Sequence, residues 1–128
     1  MAFEVDPPSG QKVVLDTFPD SDGEMLGPTP VEMLQASAAV CTAMDVVSIL
    51  KKMRQTITSY RLEVESERGP EGIYPRPVSS MKIRHILTGP DLDPEQVTRA
   101  VQLSDEKYCS VIATLRSLPQ ITQEWKIE

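Results

Sequence analysis

Thr29-Pro30-Val31-Glu32-Met33-Leu34-Gln35-Ala36-Ser37-Ala38-Ala39-Val40-Cys41-Thr42-Ala43-Met44-Asp45-Val46-Val47-Ser48-Ile49-Leu50-Lys51-Lys52-Met53 is the stretch on which the fold turns. Thr29 is an N-cap residue, Pro30 suits the first helical position, and Glu32 completes a Thr-x-x-Glu capping box, so a helix starts here. It stays apolar around most of its circumference as far as Ile49-Leu50. Only at Lys51, Lys52 and Arg54 does it turn basic, where cations complement the C-terminal dipole. A helix apolar on all sides belongs in an interior.

The surrounding segments read as strands. Phe3-Glu4-Val5 is an edge segment, Pro7-Pro8-Ser9-Gly10 a turn, and Lys12-Val13-Val14-Leu15-Asp16 a short strand, with a polar loop from Asp20 to Gly27 leading to the helix. From Thr56 to Glu67 the pattern has period two: Tyr60, Leu62 and Val64 point one way and Arg61, Glu63 and Glu65 the other. A loop over Arg68 to Pro77 follows. Met81, Ile83, His85 and Leu87 then alternate with Ser80, Lys82 and Arg84 up to the turn Gly89-Pro90-Asp91. Asp93-Pro94-Glu95 starts a second helix, expected to run unbroken to about Leu118 with Val97, Ala100, Val101, Cys109, Ile112 and Leu115 on its apolar side. Pro119 stops it, and Ile121, Trp125 and Ile127 form a final strand. The layout is α+β, a mostly antiparallel sheet with a long buried central helix. So few strands cannot cover that helix, and a second copy is the expected cover, in an intertwined homodimer.

The 128 residues suffice for a single domain, 1–128, because chains of this size bury roughly two-thirds of their unfolded surface without disulfides. No apolar run approaches a membrane span or a signal-peptide core, so a soluble, cytoplasmic chain without a membrane partner is expected. The net charge of −6 works against nucleic acid, whose phosphates demand concentrated Lys and Arg. Neither a phosphate loop, a nucleophile elbow nor a metal cluster is present, so no cofactor is expected.

Cys41 and Cys109 are the only cysteines. They lack both Cys-x-x-Cys and zinc spacing, which leaves a redox pair or two unrelated core residues. A thiol reacts as its thiolate, and an apolar setting disfavours the thiolate unless a cation or fixed donors offset the burial. Cys41 lies about three turns inside its helix, beyond reach of the N-terminal dipole. Asp45, one turn on, shares its face and would oppose ionisation; it caps a neighbouring element, pairs with a basic side chain across a dimer, or accepts a proton.

The blocks Gly27-Pro28-Thr29-Pro30-Val31-Glu32-Met33-Leu34 and Cys41-Thr42-Ala43-Met44-Asp45-Val46-Val47-Ser48-Ile49-Leu50-Lys51-Lys52, then Thr88-Gly89, Ala100-Val101-Gln102-Leu103-Ser104 and Lys107-Tyr108-Cys109-Ser110-Val111, resemble the OsmC/Ohr family of thiol-dependent hydroperoxide reductases. Within it they resemble the OsmC-like proteins of the YhfA type. The resemblance runs from about Phe3 to the C-terminus. It implies an OsmC-like fold in a swapped homodimer with sites at the subunit interface, Cys41 as the peroxidatic and Cys109 as the resolving cysteine, organic hydroperoxides as substrates, and a dithiol reductant, lipoyl-type in one branch.

Two features depart from the family pattern. The family's peroxidases hold the thiolate with an arginine from the N-terminal strand region, whereas here no arginine precedes Arg54, and the family's leading strand is expected to be absent or trimmed. Arg61, Arg76, Arg84 or a partner's arginine are the substitutes the sequence offers. The family's glutamate position is Val31; Glu32 stands nine residues before Cys41, about 180° away on a regular helix, which favours its capping role. A catalytically weak dimer that binds a small apolar or reactive ligand in its interface is therefore the rival reading. His85, the sole histidine, reads as a satisfied half-buried side chain, the Glu63, Glu65, Glu67 run as a solvated face, Tyr108 as a packing group or a donor near Cys109, and the six methionines as core filler.

Overall fold

The structure, a computed structural model, describes residues 1–19, 23–117, 119–124 and 126. Its elements are β1 (Phe3–Val5), β2 (Val13–Leu15), α1 (Pro30–Lys52), β3 (Ser59–Arg68), β4 (Val78–Thr88), α2 (Pro94–Leu103), a π-helical turn (Ser104–Tyr108) and α3 (Ser110–Arg116). The strands form two separate two-stranded sheets, β1–β2 and β3–β4. The chain divides into two compact units, Met1–Val40 with Tyr60–Ile86, and Cys41–Ser59 with Leu87–Glu128.

In the first unit, β1 and β2 pair antiparallel with Phe3 opposite Leu15 and Val5 opposite Val13. The Gly10 N–H closes the intervening turn on the Pro7 carbonyl at 2.8 Å, and Gly10 takes a φ of +76°, which costs an L side chain but not glycine. Asp16 ends the hairpin as a hub. Its carboxylate accepts from the N–H groups of Leu26 at 3.0 Å and Thr17 at 2.8 Å and from the N-terminal ammonium at 3.0 Å, which together lower its pKa to about 2.

β3 and β4 form the longer hairpin of this unit. Bonds from Thr58 N to Thr88 O and from Gly69 N to Pro77 O tie its two ends and fix an antiparallel register. The expected alternation holds: Tyr60, Leu62, Val64, Met81, Ile83 and His85 are half-buried, while Arg61, Glu65, Lys82 and Arg84 are exposed. The glutamate face is not merely solvated. Arg84 spans Glu63 at 2.7 Å and Glu65 at 3.0 Å, and Arg61 also bonds Glu63. Tyr60 Oη lies 2.6 Å from His85 Nδ1. Burial pushes the tyrosine up to about 12 and pulls the histidine down, which favours the neutral form of each, and the imidazole tautomer decides which of the two donates. His85 is thus the satisfied side chain its strand phase predicts.

α1 begins as its sequence dictates. The Thr29 N–H donates to Glu32 at 2.8 Å and the Glu32 N–H donates to Thr29 Oγ1 at 3.3 Å, a reciprocal capping box. Its end is less conventional. Gln55 N–H reaches the Leu50 carbonyl at 2.9 Å and Arg54 N–H the Lys51 carbonyl at 3.1 Å, a Schellman motif in which Arg54, not glycine, adopts a φ of +59°.

The burial of α1 departs from expectation. Ala38, Ala39, Thr42, Val46 and Leu50 make one buried stripe, spaced three to four residues apart, but Val40, Met44 and Val47 form an exposed one, with Met44 at 68% exposure. Within a single chain this is a one-sided core helix. By length and composition its 23 residues, with a mean hydropathy of 1.6 in the most apolar window, are also enough to cross a membrane, which the short uninterrupted runs did not suggest; one-third of that window is buried inside the chain.

The second unit holds the larger correction. The C-terminal segment is not one continuous helix. Asp93 caps α2 by accepting from Glu95 N–H at 2.9 Å, and its own N–H donates to Gln55 Oε1 at 2.9 Å. After Leu103 the chain widens into the π-turn, then breaks at Cys109, whose φ of −72° and ψ of 103° are extended. α3 is only seven residues long and ends at Arg116. Gly89, after β4, sits where any Cβ would collide with the Thr56 carbonyl oxygen, so the chain passes Thr56 this closely only through glycine. Of the expected last strand, Ile121 is exposed and outside any strand, while Trp125 and Ile127 lie outside the described residues.

Candidate functional site: a thiol pair at a helix break

Cys41 comes from the regular middle of α1 and Cys109 from the break between the π-turn and α3. Both are free thiols; Cys41 is half-buried and Cys109 is 3% exposed. Folding brings them together. Cys41 lies near enough to act on the Cys109 thiol, whose sulfur accepts from the Ile112 N–H at 3.5 Å, capping α3. The Cys109 thiol is pushed up, chiefly by burial. The neighbouring Cys41 also favours the protonated form, against the opposing N–H groups of Ile112 and Val111. None of these influences is a cation. Cys109 is therefore a proton-bearing thiol held beside Cys41, which fits a second-step sulfur better than an attacking one.

Three hydroxyl and carboxylate groups brace the pair. Ser104, the first residue of the π-turn, is fully buried, and its hydroxyl lies 2.8 Å from Thr42 Oγ1 and 2.9 Å from Asp45 Oδ2, with the Thr42 carbonyl at 3.4 Å. A carboxylate only accepts, so Ser104 donates to Asp45 and receives from Thr42. Of the openings left for Asp45, this network supplies a neutral partner in the same chain. The Ser104 carbonyl in turn accepts the Cys109 N–H at 2.9 Å, closing the π-turn.

A cleft of about 360 Å³ is lined by Asp45, Ser48, Ile49, Lys52, Met53, Leu103 and Tyr108; neither cysteine lines it, but Asp45 stands one helical turn from Cys41 and Tyr108 directly precedes Cys109. One wall is a face of α1, since the α1 residues recur every three to four positions. The lining is mostly apolar, with a carboxylate at one end and an ammonium two turns away. Tyr108 is 58% exposed and belongs to this cleft; no bond from its hydroxyl to either sulfur is found among the described residues.

The arginines offered as substitute cations are engaged on the β3–β4 hairpin. Arg61 and Arg84 bind the β3 glutamates, and Arg76 donates to the Gly69 carbonyl at 2.5 Å. Glu32 is occupied in its capping box.

Ser104 and Thr42 escaped the residue-by-residue reading. A usable signal existed for Thr42: it is the one hydrogen-bonding side chain on the Ala38, Ala39, Val46, Leu50 stripe, and a polar group on a buried stripe requires a partner.

Comparison with known proteins identifies the family and the fold. Residues 21–124 match the model of the OsmC-like protein family. The chain is 39% identical over 119 residues to Protein YhfA of Escherichia coli K12, covering 93% of this chain and 84% of that protein. A crystal structure of a hypothetical protein from Aquifex aeolicus is similar at a TM-score of 0.67 and 27% identity, over 91% of this chain and 86% of that one. An OsmC-like hydroperoxide resistance protein from Jannaschia, at 22% identity, shares the fold with a TM-score of 0.60 over 97% of this chain and 81% of that one. The chain belongs to the OsmC-like family.

Proposed function

We propose that this protein reduces organic hydroperoxides through Cys41 and Cys109. The observation that carries this reading is that two free thiols far apart in sequence come near enough for Cys41 to raise the pKa of Cys109. The Cys41 thiolate attacks the outer peroxide oxygen, the O–O bond breaks, and the alkoxide leaves and takes up a proton as the alcohol. Cys41 is left as a sulfenic acid. The Cys109 sulfur then attacks the Cys41 sulfur, a disulfide forms, and the hydroxyl leaves as water with the Cys109 proton. A small dithiol, lipoyl-type among the candidates, restores both thiols by exchange. The apolar lining of the cleft suits the alkyl part of the peroxide.

The same proposal includes a homodimer. Val40, Met44 and Val47 make an apolar stripe along α1 that a second copy covers, and sedimentation at micromolar concentration tests it. The missing cation motivates the alternative, a dimer that only holds a small apolar ligand in the cleft.

One equivalent of cumene hydroperoxide, followed by thiol counting and peptide mapping, separates the two. Loss of both thiols into a Cys41–Cys109 bridge, prevented by Cys41→Ser, is the expected result. Thiols that survive the treatment would remove the enzymatic reading and leave the binding one.

A further inference from the structure

We infer that Ser104 is a positioning residue for the thiol pair: its side chain grips α1 at Thr42 and Asp45, next to Cys41 and one turn past it, while its main chain holds the backbone of Cys109. The inference rests on the thiol chemistry proposed above and adds the device that brings the second sulfur within reach.

The geometry is specific. Thr42 follows Cys41 directly, and Asp45 stands one helical turn beyond it; the Ser104 hydroxyl engages Thr42 Oγ1 at 2.8 Å and Asp45 Oδ2 at 2.9 Å. The same residue's carbonyl takes the Cys109 N–H at 2.9 Å across the i to i+5 turn. Few atoms therefore separate Cys41's neighbours from Cys109's own peptide. An ordinary α-helical turn would give the Ser104 carbonyl to Tyr108 instead; the wider turn passes it to Cys109 and frees that residue to take its extended conformation. Ser104 has no exposure to solvent, so a side chain without the hydroxyl abandons two polar groups that water cannot reach.

Positioning of this kind shows up as effective concentration, the factor by which one thiol prefers its partner over a free thiol in solution. It is measured by equilibrating the full-length protein with reduced and oxidised glutathione. Protein dithiol and one oxidised glutathione exchange to protein disulfide and two reduced glutathiones, each step moving one electron pair between sulfurs. Ser104→Ala is expected to lower the effective concentration by about tenfold or more, and Ser104→Thr, which keeps the hydroxyl, to recover most of it. Val46→Ala removes buried packing from the same helix without touching the network. It is expected to lower the melting temperature yet keep the effective concentration within about twofold.

Should Ser104→Ala not fold, Thr42→Val removes the α1 donor alone and is expected to lower the same quantity. A value within twofold of the parent for the hydroxyl-less variants, or an equal loss in Val46→Ala, would overturn the inference. Glutathione exchange needs no peroxide. A protein that ignores hydroperoxide but still bridges its cysteines, with Ser104→Ala impaired, would refute the proposed function and keep this inference. One that turns over peroxide and is indifferent to Ser104→Ala would do the reverse.

Discussion

α1 and the C-terminal segment from Pro94 to Arg116 have similar lengths, capped starts and apolar periodicity, and each carries one cysteine, yet only the first is a regular helix. α1 runs for 23 residues and presents Cys41 from the middle of an intact hydrogen-bond ladder. The other segment is cut into ten helical residues, a five-residue π-turn and seven more helical residues, and Cys109 sits at the cut. One sulfur is placed by regularity, the other by its interruption. A pair of thiols that must meet gains from this asymmetry, because a helix fixes where a side chain points and a break lets a neighbouring strand of chain be aimed at it.

The sharpest way to break the comparison is to remove each sulfur. Cys41→Ser should cut hydroperoxide reduction by at least about a thousandfold, as loss of a nucleophile does. Cys109→Ser should still consume one peroxide per chain but leave a sulfenic acid that a dimedone probe traps. Equal behaviour of the two variants would mean that regular and interrupted placement carry no difference in role.

Next in size is the support of the regular helix. Leu50 is fully buried, and Leu50→Ala should cost about 2–5 kcal/mol in urea denaturation. Thr29→Ala, which dismantles the capping box, should cost about 1 kcal/mol by the same measurement. Arg54→Gly should go the other way and stabilise by up to about 1 kcal/mol, because the residue already occupies the left-handed region at the helix end. The gentlest effect is a slope. The Cys109 pKa is raised by folding, so its contribution to stability is complete below the ordinary thiol range and fades as pH climbs through it toward the folded value. Denaturation curves between pH 7 and 10 should flatten in Cys109→Ser, and a parent curve no steeper than the variant's would contradict the assignment.

The sequence was legible where local chemistry decides the outcome. Thr29, Pro30 and Glu32 start α1 at their stated places, Gly10 closes its turn, and the alternation around Tyr60 and His85 gives the hairpin its inner face. It was not legible where one extra residue changes the phase. Ser104 and Cys109 are both buried, yet on a regular helix five residues separate them by about 140°, too far to share a face. That mismatch was present in the sequence, but nothing marked Ser104 as buried, and the apolar spacing of Val97, Ala100 and Val101 carried the eye straight through. Neither could the sequence tell which face of an apolar α1 its own chain covers, since Val40, Met44 and Val47 are as apolar as Val46 and Leu50. For the site, the two cysteines were found from their blocks, whereas the Thr42, Ser104, Asp45 network depends on a contact between segments that no local pattern encodes.

The Tyr60–His85 contact has a practical consequence for kinetics. Burial lowers the pKa of the chain's sole histidine, so its change of charge moves to more acidic pH. A turnover profile recorded around neutral pH is therefore less entangled with an imidazole titration.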